Sequence, residues 1–369
     1  MQQNAPAAPG MSEDEIDTPA LIVDLDAMEA NLDAMATFCA GAGVKLRAHA
    51  KTHKSPVIAH WQIARGAVGQ CVQKVGEAEV LTWGGVADIL VSNEIVSPQK
   101  IARIAALSNM ANVALCADDR AAVDIIEDVA AVFGCRLTVL VEIDVGSARC
   151  GVTPGTAAVD LAKHIASSPN LIFGGLQSYD GAAQHIHHPE ERAAHVQKAV
   201  EATRRTVELL AAAGLSCAIV GGAGTGTFAL EAASEVYNEI QAGSYVFMDA
   251  AYARIEPSPP FQQSLFVLST VMSAARNGVA VVDCGHKSVA IDAGPPLVHD
   301  WPGVVCERNS DEHGHLRVDA TAQPLKVGQR LKLVPGHCDP TVDRHDWYVG
   351  VRQGRVEMVW PVAARGAAF

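Results

Sequence analysis

The chain has 369 residues, 49% hydrophobic and 19% charged, with 41 acidic against 28 basic side chains and a net charge of −13. That is an ordinary globular mixture with material for a large core, which excludes a disordered chain. The acidic balance argues against nucleic acid or an anionic membrane as a partner, but not against a small anionic substrate, because a local cluster reverses the field inside a pocket.

The head, MQQNAPAAPG, reads as a polar arm without the apolar or basic character of a targeting sequence. Thr18-Pro19 opens a strand-like run, Ala20–Leu25, which passes into a helical pattern of Met28, Leu32, Met35 and Phe38. Gly41-Ala42-Gly43 breaks that helix and leads to a strand running into Lys51. Strand-like runs then recur at Gly69–Val75, Asp88–Ser92, Asn112–Ala117, Leu137–Ile143, Leu171–Gln177, Ala218–Gly221 and Glu239–Met248, mostly with helical segments between them. Short apolar strands alternating with helices predict a parallel sheet covered on both faces. With the Lys51 strand there are eight units, the size of a (β/α)₈ barrel, and a doubly wound open sheet is the alternative.

Near Pro257 the texture changes. Arg254–Gln262 is rich in proline, and β-branched runs follow at Phe266–Met272, Val279–Val282, Arg330–Val334, Trp347–Val351 and Val356–Pro361, with no helical pattern. We therefore expect an α/β barrel over residues 27–256 and an all-β domain over 257–369, joined by the strand at 18–26. Leu209–Leu230 carries no charge, but its glycines break any membrane-spanning helix. The nine cysteines lie singly, with no CxxC pair, as buried thiols in a reducing cytoplasm would.

Polar side chains gather where barrel strands end. LRAHAKTHKS sets Lys51 and Lys54 among His49, His53 and Arg47, and mutual repulsion of such cations would favour the neutral amine that Schiff-base chemistry needs. Other ends carry Gln73-Lys74, then Asp144 to Gly151 with Arg149, then Gln177-Ser178-Tyr179 with Gln184-His185 one turn on. The run AIVGGAGTGT empties into a glycine-rich loop, neither a Walker loop nor a convincing dinucleotide fingerprint, whose freed amides suit a small phosphate. Gly243-Ser244-Tyr245 would add donors. A lysine on one strand and a phosphate cradle on late ones suggest pyridoxal phosphate. In the β domain, His337 and Asp339 on an extended strand would point the same way and form half a divalent-metal site, with a simple Asp339-Pro340 turn as the alternative.

HAKTHKSP, GQCVQKVGEAE, VEIDVGSARCGV, GGAGTG, EIQAGSY and PGHCDPT…HDWYVGVR…WPVAARG, spread over nearly the whole chain, resemble the D-threonine aldolase family, and especially its D-3-hydroxyaspartate aldolase members. The resemblance implies a fold-type III pyridoxal-phosphate enzyme: an alanine-racemase-like (β/α)₈ barrel followed by a β domain, acting as a cytoplasmic homodimer. It implies that Lys51 bonds the cofactor and that Arg149, Tyr179, Gly222, Gly224, Thr225 and Gly226 surround it, to which the donors at Gly243, Ser244 and Tyr245 would add. It makes His185 the general base and His337 and Asp339 the ligands of a divalent metal, Mn²⁺ or Mg²⁺. The activity implied is retro-aldol cleavage of 3-hydroxy-D-amino acids, D-threonine or D-3-hydroxyaspartate, to glycine and an aldehyde. A D-serine or 3-hydroxyaspartate dehydratase on the same fold is the first alternative and a non-catalytic pyridoxal-phosphate carrier the second. Against the family pattern, Ala48 replaces a proline, Ala223 and Thr227 replace Gly and Ser in the phosphate loop, and His286 stands where leucine is commoner.

Overall fold

A computed structural model describes residues 4–369. The first strand, β1 (Ala20–Asp24), is followed by a helix over Leu25–Ala42, with Asp24 capping its start and Gly43 ending it at a φ of 68°. Eight parallel strands then close a barrel: β2 (Lys45–His49), β3 (Gly69–Val72), β4 (Asp88–Glu94), β5 (Asn112–Ala117), β6 (Leu137–Glu142), β7 (Leu171–Ser178), β8 (Ile219–Gly222) and β9 (Glu239–Ile240). The alternation of apolar strands with helices thus produces a closed sheet, not an open one. Closure is made by β9 pairing with both β8 and β2. The last strand is much shorter than the run Glu239–Met248, because Gly243 turns the chain into a tight helical turn at Ser244–Val246.

After Pro257 come β10 (Leu265–Arg276), β11 (Val279–Val282), β12 (Leu297–Val298), β13 (Val304–Asn309), β14 (Gly314–Val318), β15 (Arg330–Val334), β16 (Trp347–Arg352) and β17 (Arg355–Pro361). They form a nine-stranded sheet in which β1 lies between β10, antiparallel, and β16, parallel. One apolar core is shared between barrel and sheet, running from Leu46, Tyr245 and Phe247 to Leu265, Leu333 and Tyr348. That shared core presses the sheet domain onto the rim of the barrel where β2 ends.

The all-β expectation is corrected at one place that matters. His337 is not mid-strand: it caps a short helix, Cys338–Val342, and Thr341 Oγ1 donates to the His337 carbonyl at 2.8 Å. Asp339-Pro340 starts a helical turn because proline, with its fixed φ and missing N–H, is tolerated in a first turn. Strand alternation therefore does not set the direction of Asp339; the helix does. Among the described residues no helix is long and apolar enough to cross a membrane.

Candidate active site

Two cavities meet at the C-terminal rim of the barrel. The inner one, about 320 Å³, is lined by His49, Lys51, Gln73, Arg149, Tyr179 and Thr225 among others. The outer one, about 450 Å³, shares Lys51, Tyr179, Ser244 and Tyr252 with it and adds His185, His187, Arg254, Asp292 and His337. Lys51 thus stands in the wall between them, where β2 has just ended.

The amine of Lys51 makes an ion pair with Asp339 Oδ2. Enclosure opposes its charge, but the facing carboxylate outweighs that and raises the lysine above its ordinary value. Asp339 is held well below the usual carboxylate range, because Lys51 and then His337 more than offset its burial. This corrects the expectation of a lysine made neutral by neighbouring cations. Those neighbours are each accounted for. Arg47 is paired with Glu239 and Asp88, and Lys54 with Glu77 at 3.0 Å and Asp343 at 3.1 Å. Burial pushes His49 well below its usual value and His53 down to about 4, so both rings are neutral near pH 7. The basic look of the peptide is cancelled by acids that lie far away in sequence.

His337 Nδ1 lies 2.8 Å from Asp292 Oδ2, and Nε2 lies 3.9 Å from Asp339 Oδ2. With Nδ1 donating to Asp292, the Nε2 lone pair faces the Asp339 carboxylate, an imidazole and a carboxylate oxygen converging as a divalent ion requires. Gly336 permits this: a Cβ there would come within 2.6 Å of the Gly294 carbonyl, so only glycine lets the Asp292 loop lie so close.

The inner cavity fits a phosphate at its Gly224–Thr225 edge. Thr225 Oγ1 is buried and has no hydrogen-bond partner. A Cβ on Gly224 would meet Gln184 Oε1 at 2.4 Å, and one on Gly243 would meet Thr52 Oγ1 at 2.6 Å, so the backbone there is bare and closely walled. Ala223, a family departure, has a φ of 68°, in the left-handed region that favours glycine. Arg149 lies 3.6 Å from Glu142 and 5.8 Å from the centre of the Tyr179 ring.

Not every expected cofactor contact is brought to the cavity. The Tyr245 phenol is not brought there. Its side chain is fully buried in the shared core, and its hydroxyl accepts a hydrogen bond from Gln62 Nε2 at 3.1 Å. Gly226 spends its N–H on Gln184 Oε1 at 3.0 Å, and Gly222 is pressed against the Ser178 carbonyl, so both stand behind the wall. His286 lies outside both cavities, 2.9 Å from Asp311. Sequence reasoning missed Tyr252, Arg254, His187 and Asp292. The short helix Ala250–Ala253 that carries Tyr252 offers no signal, since its sequence, AAYA, is otherwise featureless and it is separated from the last barrel strand by the turn at Ser244–Val246.

The alanine racemase N-terminal domain family matches residues 23–251, and the serine dehydratase domain family residues 264–351. The chain is 45% identical over 373 residues to the 3-hydroxy-D-aspartate aldolase of Paracoccus denitrificans (strain Pd 1222), covering 99% of this chain and 96% of that one. The crystal structure of the D-threonine aldolase of Filomicrobium marinum superposes with a TM-score of 0.97 at 47% identity, over 100% of each chain. The chain belongs to the D-threonine aldolase family. The D-threo-3-hydroxyaspartate dehydratase of a Delftia species is more distant, 30% identical over 88% of this chain and 92% of that one. Membership in the aldolase family accounts for the coincidence of features at the rim: a lysine at a barrel-strand end, a bare phosphate-sized edge, and an imidazole–carboxylate pair delivered by the sheet domain.

Proposed function

We propose that this chain is a pyridoxal-phosphate- and divalent-metal-dependent aldolase that cleaves 3-hydroxy-D-amino acids to glycine and an aldehyde. The observation that carries this reading is the position of Lys51: it opens onto both cavities and touches Asp339, beside His337. Lys51 Nζ would hold pyridoxal phosphate covalently, with Arg149 and Tyr179 beside it and Gly224, Thr225 and Ser244 at its phosphate. The cofactor supplies a sink for the electron pair left when the bond between the α and β carbons breaks. His337 Nε2 and Asp339 would hold the metal, which lowers the pKa of the substrate hydroxyl.

Within that frame the chain's own groups have separate tasks. His185, on the outer cavity wall, takes the hydroxyl proton. Asp292 fixes the His337 ring through Nδ1. A divalent ion held by His337 and Asp339 would supply the positive charge that Lys51 now gives Asp339, and the Lys51 amine would then be available to bond carbon and to return a proton to the α carbon. Mn²⁺ or Mg²⁺ suits an imidazole–carboxylate pair better than a softer ion would. The homodimer and the cytoplasmic setting belong to the same reading; the nine unpaired cysteines accord with a reducing compartment.

The test is a product assay on chelator-treated protein supplied with pyridoxal phosphate, with and without Mn²⁺, on D-threonine, D-3-hydroxyaspartate and their L-enantiomers. Glycine and the matching aldehyde are expected from the D-substrates only, and only with metal. Lys51→Ala should lose both the lysine-linked chromophore and turnover; full turnover in that variant would sink the central assignment. Ammonia and a 2-oxo acid as products would make the protein a dehydratase.

A further inference from the structure

Arg254 occupies a position that the reaction as described does not use. It ends the short helix Ala250–Ala253, and that helix is tied on both sides to the segment bearing His337. Asp249 accepts the Tyr252 N–H at 2.9 Å and the Cys338 N–H at 3.0 Å. The Ala250 and Ala251 amides donate to the carbonyls of Pro335 and Gly336, at 3.0 and 3.1 Å. Arg254 Nη2 in turn donates to the Ala293 carbonyl at 3.2 Å, one residue beyond the Asp292 that holds His337. The guanidinium of this exposed residue thus lines the same outer cavity as the imidazole, held to the Asp292 loop by that one contact.

Its remaining donors are uncommitted. Arg47, Arg103 and Arg352 are each paired with carboxylates, whereas Arg254 has none in ion-pair range among the described residues. The two acids that line the same cavity are otherwise engaged, Asp292 by His337 and Asp249 by two backbone amides. His187 lies on the same wall and is held in place through its carbonyl, which accepts from the Glu256 N–H at 3.2 Å and from Arg192 Nη1 at 3.0 Å. A guanidinium with free N–H groups, lining a cavity, is suited to receive a carboxylate.

We propose that Arg254 binds the side-chain carboxylate of a 3-hydroxy-D-aspartate-type substrate, making this chain an aldolase that prefers acidic 3-hydroxy-D-amino acids. This rests on the aldolase reading above. A substrate bound there has its amino carbon at Lys51 and its hydroxyl at the His337–Asp339 pair. The carboxylate of 3-hydroxyaspartate is bonded to the same carbon as that hydroxyl, so it falls in the outer cavity, which His337 and Arg254 both line. The other carboxylate, on the amino carbon, stays nearer the inner cavity, which Arg254 does not line.

Steady-state glycine release by the metal- and cofactor-loaded enzyme, with D-3-hydroxyaspartate and D-threonine compared in parallel, tests the assignment. In Arg254→Gln the ratio of kcat/KM for hydroxyaspartate over threonine should fall at least about tenfold, mostly through KM for hydroxyaspartate, because one charge-assisted contact is lost. Arg254→Lys should recover part of the ratio, and D-threonine serves as the internal reference for folding. A ratio unchanged in Arg254→Gln, whether both activities fall together or neither does, overturns the role of Arg254 while leaving the aldolase intact. No glycine from either substrate with the unmutated enzyme overturns the aldolase reading and this assignment with it.

Discussion

Asp292 shows how a single side chain sets the direction of another in the candidate site. An imidazole presents one nitrogen to a ligand only if its other nitrogen is tied down, and Asp292 Oδ2 ties Nδ1 of His337 at 2.8 Å. Asparagine would keep the size but can offer Nδ1 either a carbonyl or an amide, so the ring is less firmly held and less basic. Asp292→Asn should weaken divalent-metal binding by roughly 10–100-fold, read by titrating Mn²⁺ into chelator-treated protein; an unchanged affinity would show that the Nδ1 contact is incidental. Lys51, Tyr179 and Thr225 were legible in the sequence because each lies just past the end of a barrel strand, so strand position puts it on the rim, and Arg149 because the loop after β6 returns it there. Asp292 was not, because it acquires meaning only from His337, 45 residues later. Tyr245 misled for the opposite reason: its neighbours Gly243 and Ser244 line the cavity, and the tight turn they begin swings the phenol into the core. The supposed activation of Lys51 failed in the same way, since the acids that neutralise its basic neighbours lie on other elements.

The barrel closes where β2 meets β9, and a buried charge cluster crosses that seam. Arg47, on β2, reaches Glu239, the first residue of β9, at 2.6 Å, and also Asp88, the first residue of β4. Gly69 on β3 makes the crossing possible: a Cβ there would come within 2.8 Å of Arg47 Nη1. The acids sit at the N-terminal ends of their strands, away from the active rim, so the cluster serves the barrel and not the chemistry. Replacing Arg47 by Met leaves Glu239, 2% exposed, as an unpaired buried carboxylate. We expect Arg47→Met to lose about 3–5 kcal/mol of stability by urea unfolding, with Glu239→Gln added in the same chain restoring part of it. A loss below about 1 kcal/mol would mean that the pairing merely fills space. The eight strands could be counted from sequence because each is a short apolar run between helices. The seam itself was invisible, since Arg47, Asp88 and Glu239 lie more than 40 residues apart.

At the scale of the whole molecule, the candidate site is shared between barrel and sheet, because one supplies Lys51 and the other Asp339, and the proposed activity would need the two to stay in register. The Lys51 loop is where they are sewn together. Tyr348 on β16 donates its hydroxyl to the His53 carbonyl at 2.7 Å, the Ala364 N–H donates to the Lys54 carbonyl at 3.0 Å, and Lys54 pairs with Asp343. His53 lies at the centre of this junction, 0% exposed, its Nδ1 accepting the Ser55 N–H at 3.1 Å. Burial holds its pKa down at about 4, against an ordinary value of 6.5. Between those values the unfolded chain binds a proton that the folded chain refuses, so stability rises with pH and is lost as pH falls from about 6.5 toward 4. From that difference His53 alone removes about 2 kcal/mol between pH 7.5 and pH 5. Urea midpoints measured at both pH values should therefore draw closer together in His53→Gln than in the unmutated protein, even if the variant is less stable throughout. If the separation is the same in both, His53 is protonated in the folded state and the junction is open to water. If it narrows as expected, the buried His53 imidazole is one source of the protein's loss of stability in acid, at the junction where barrel and sheet meet.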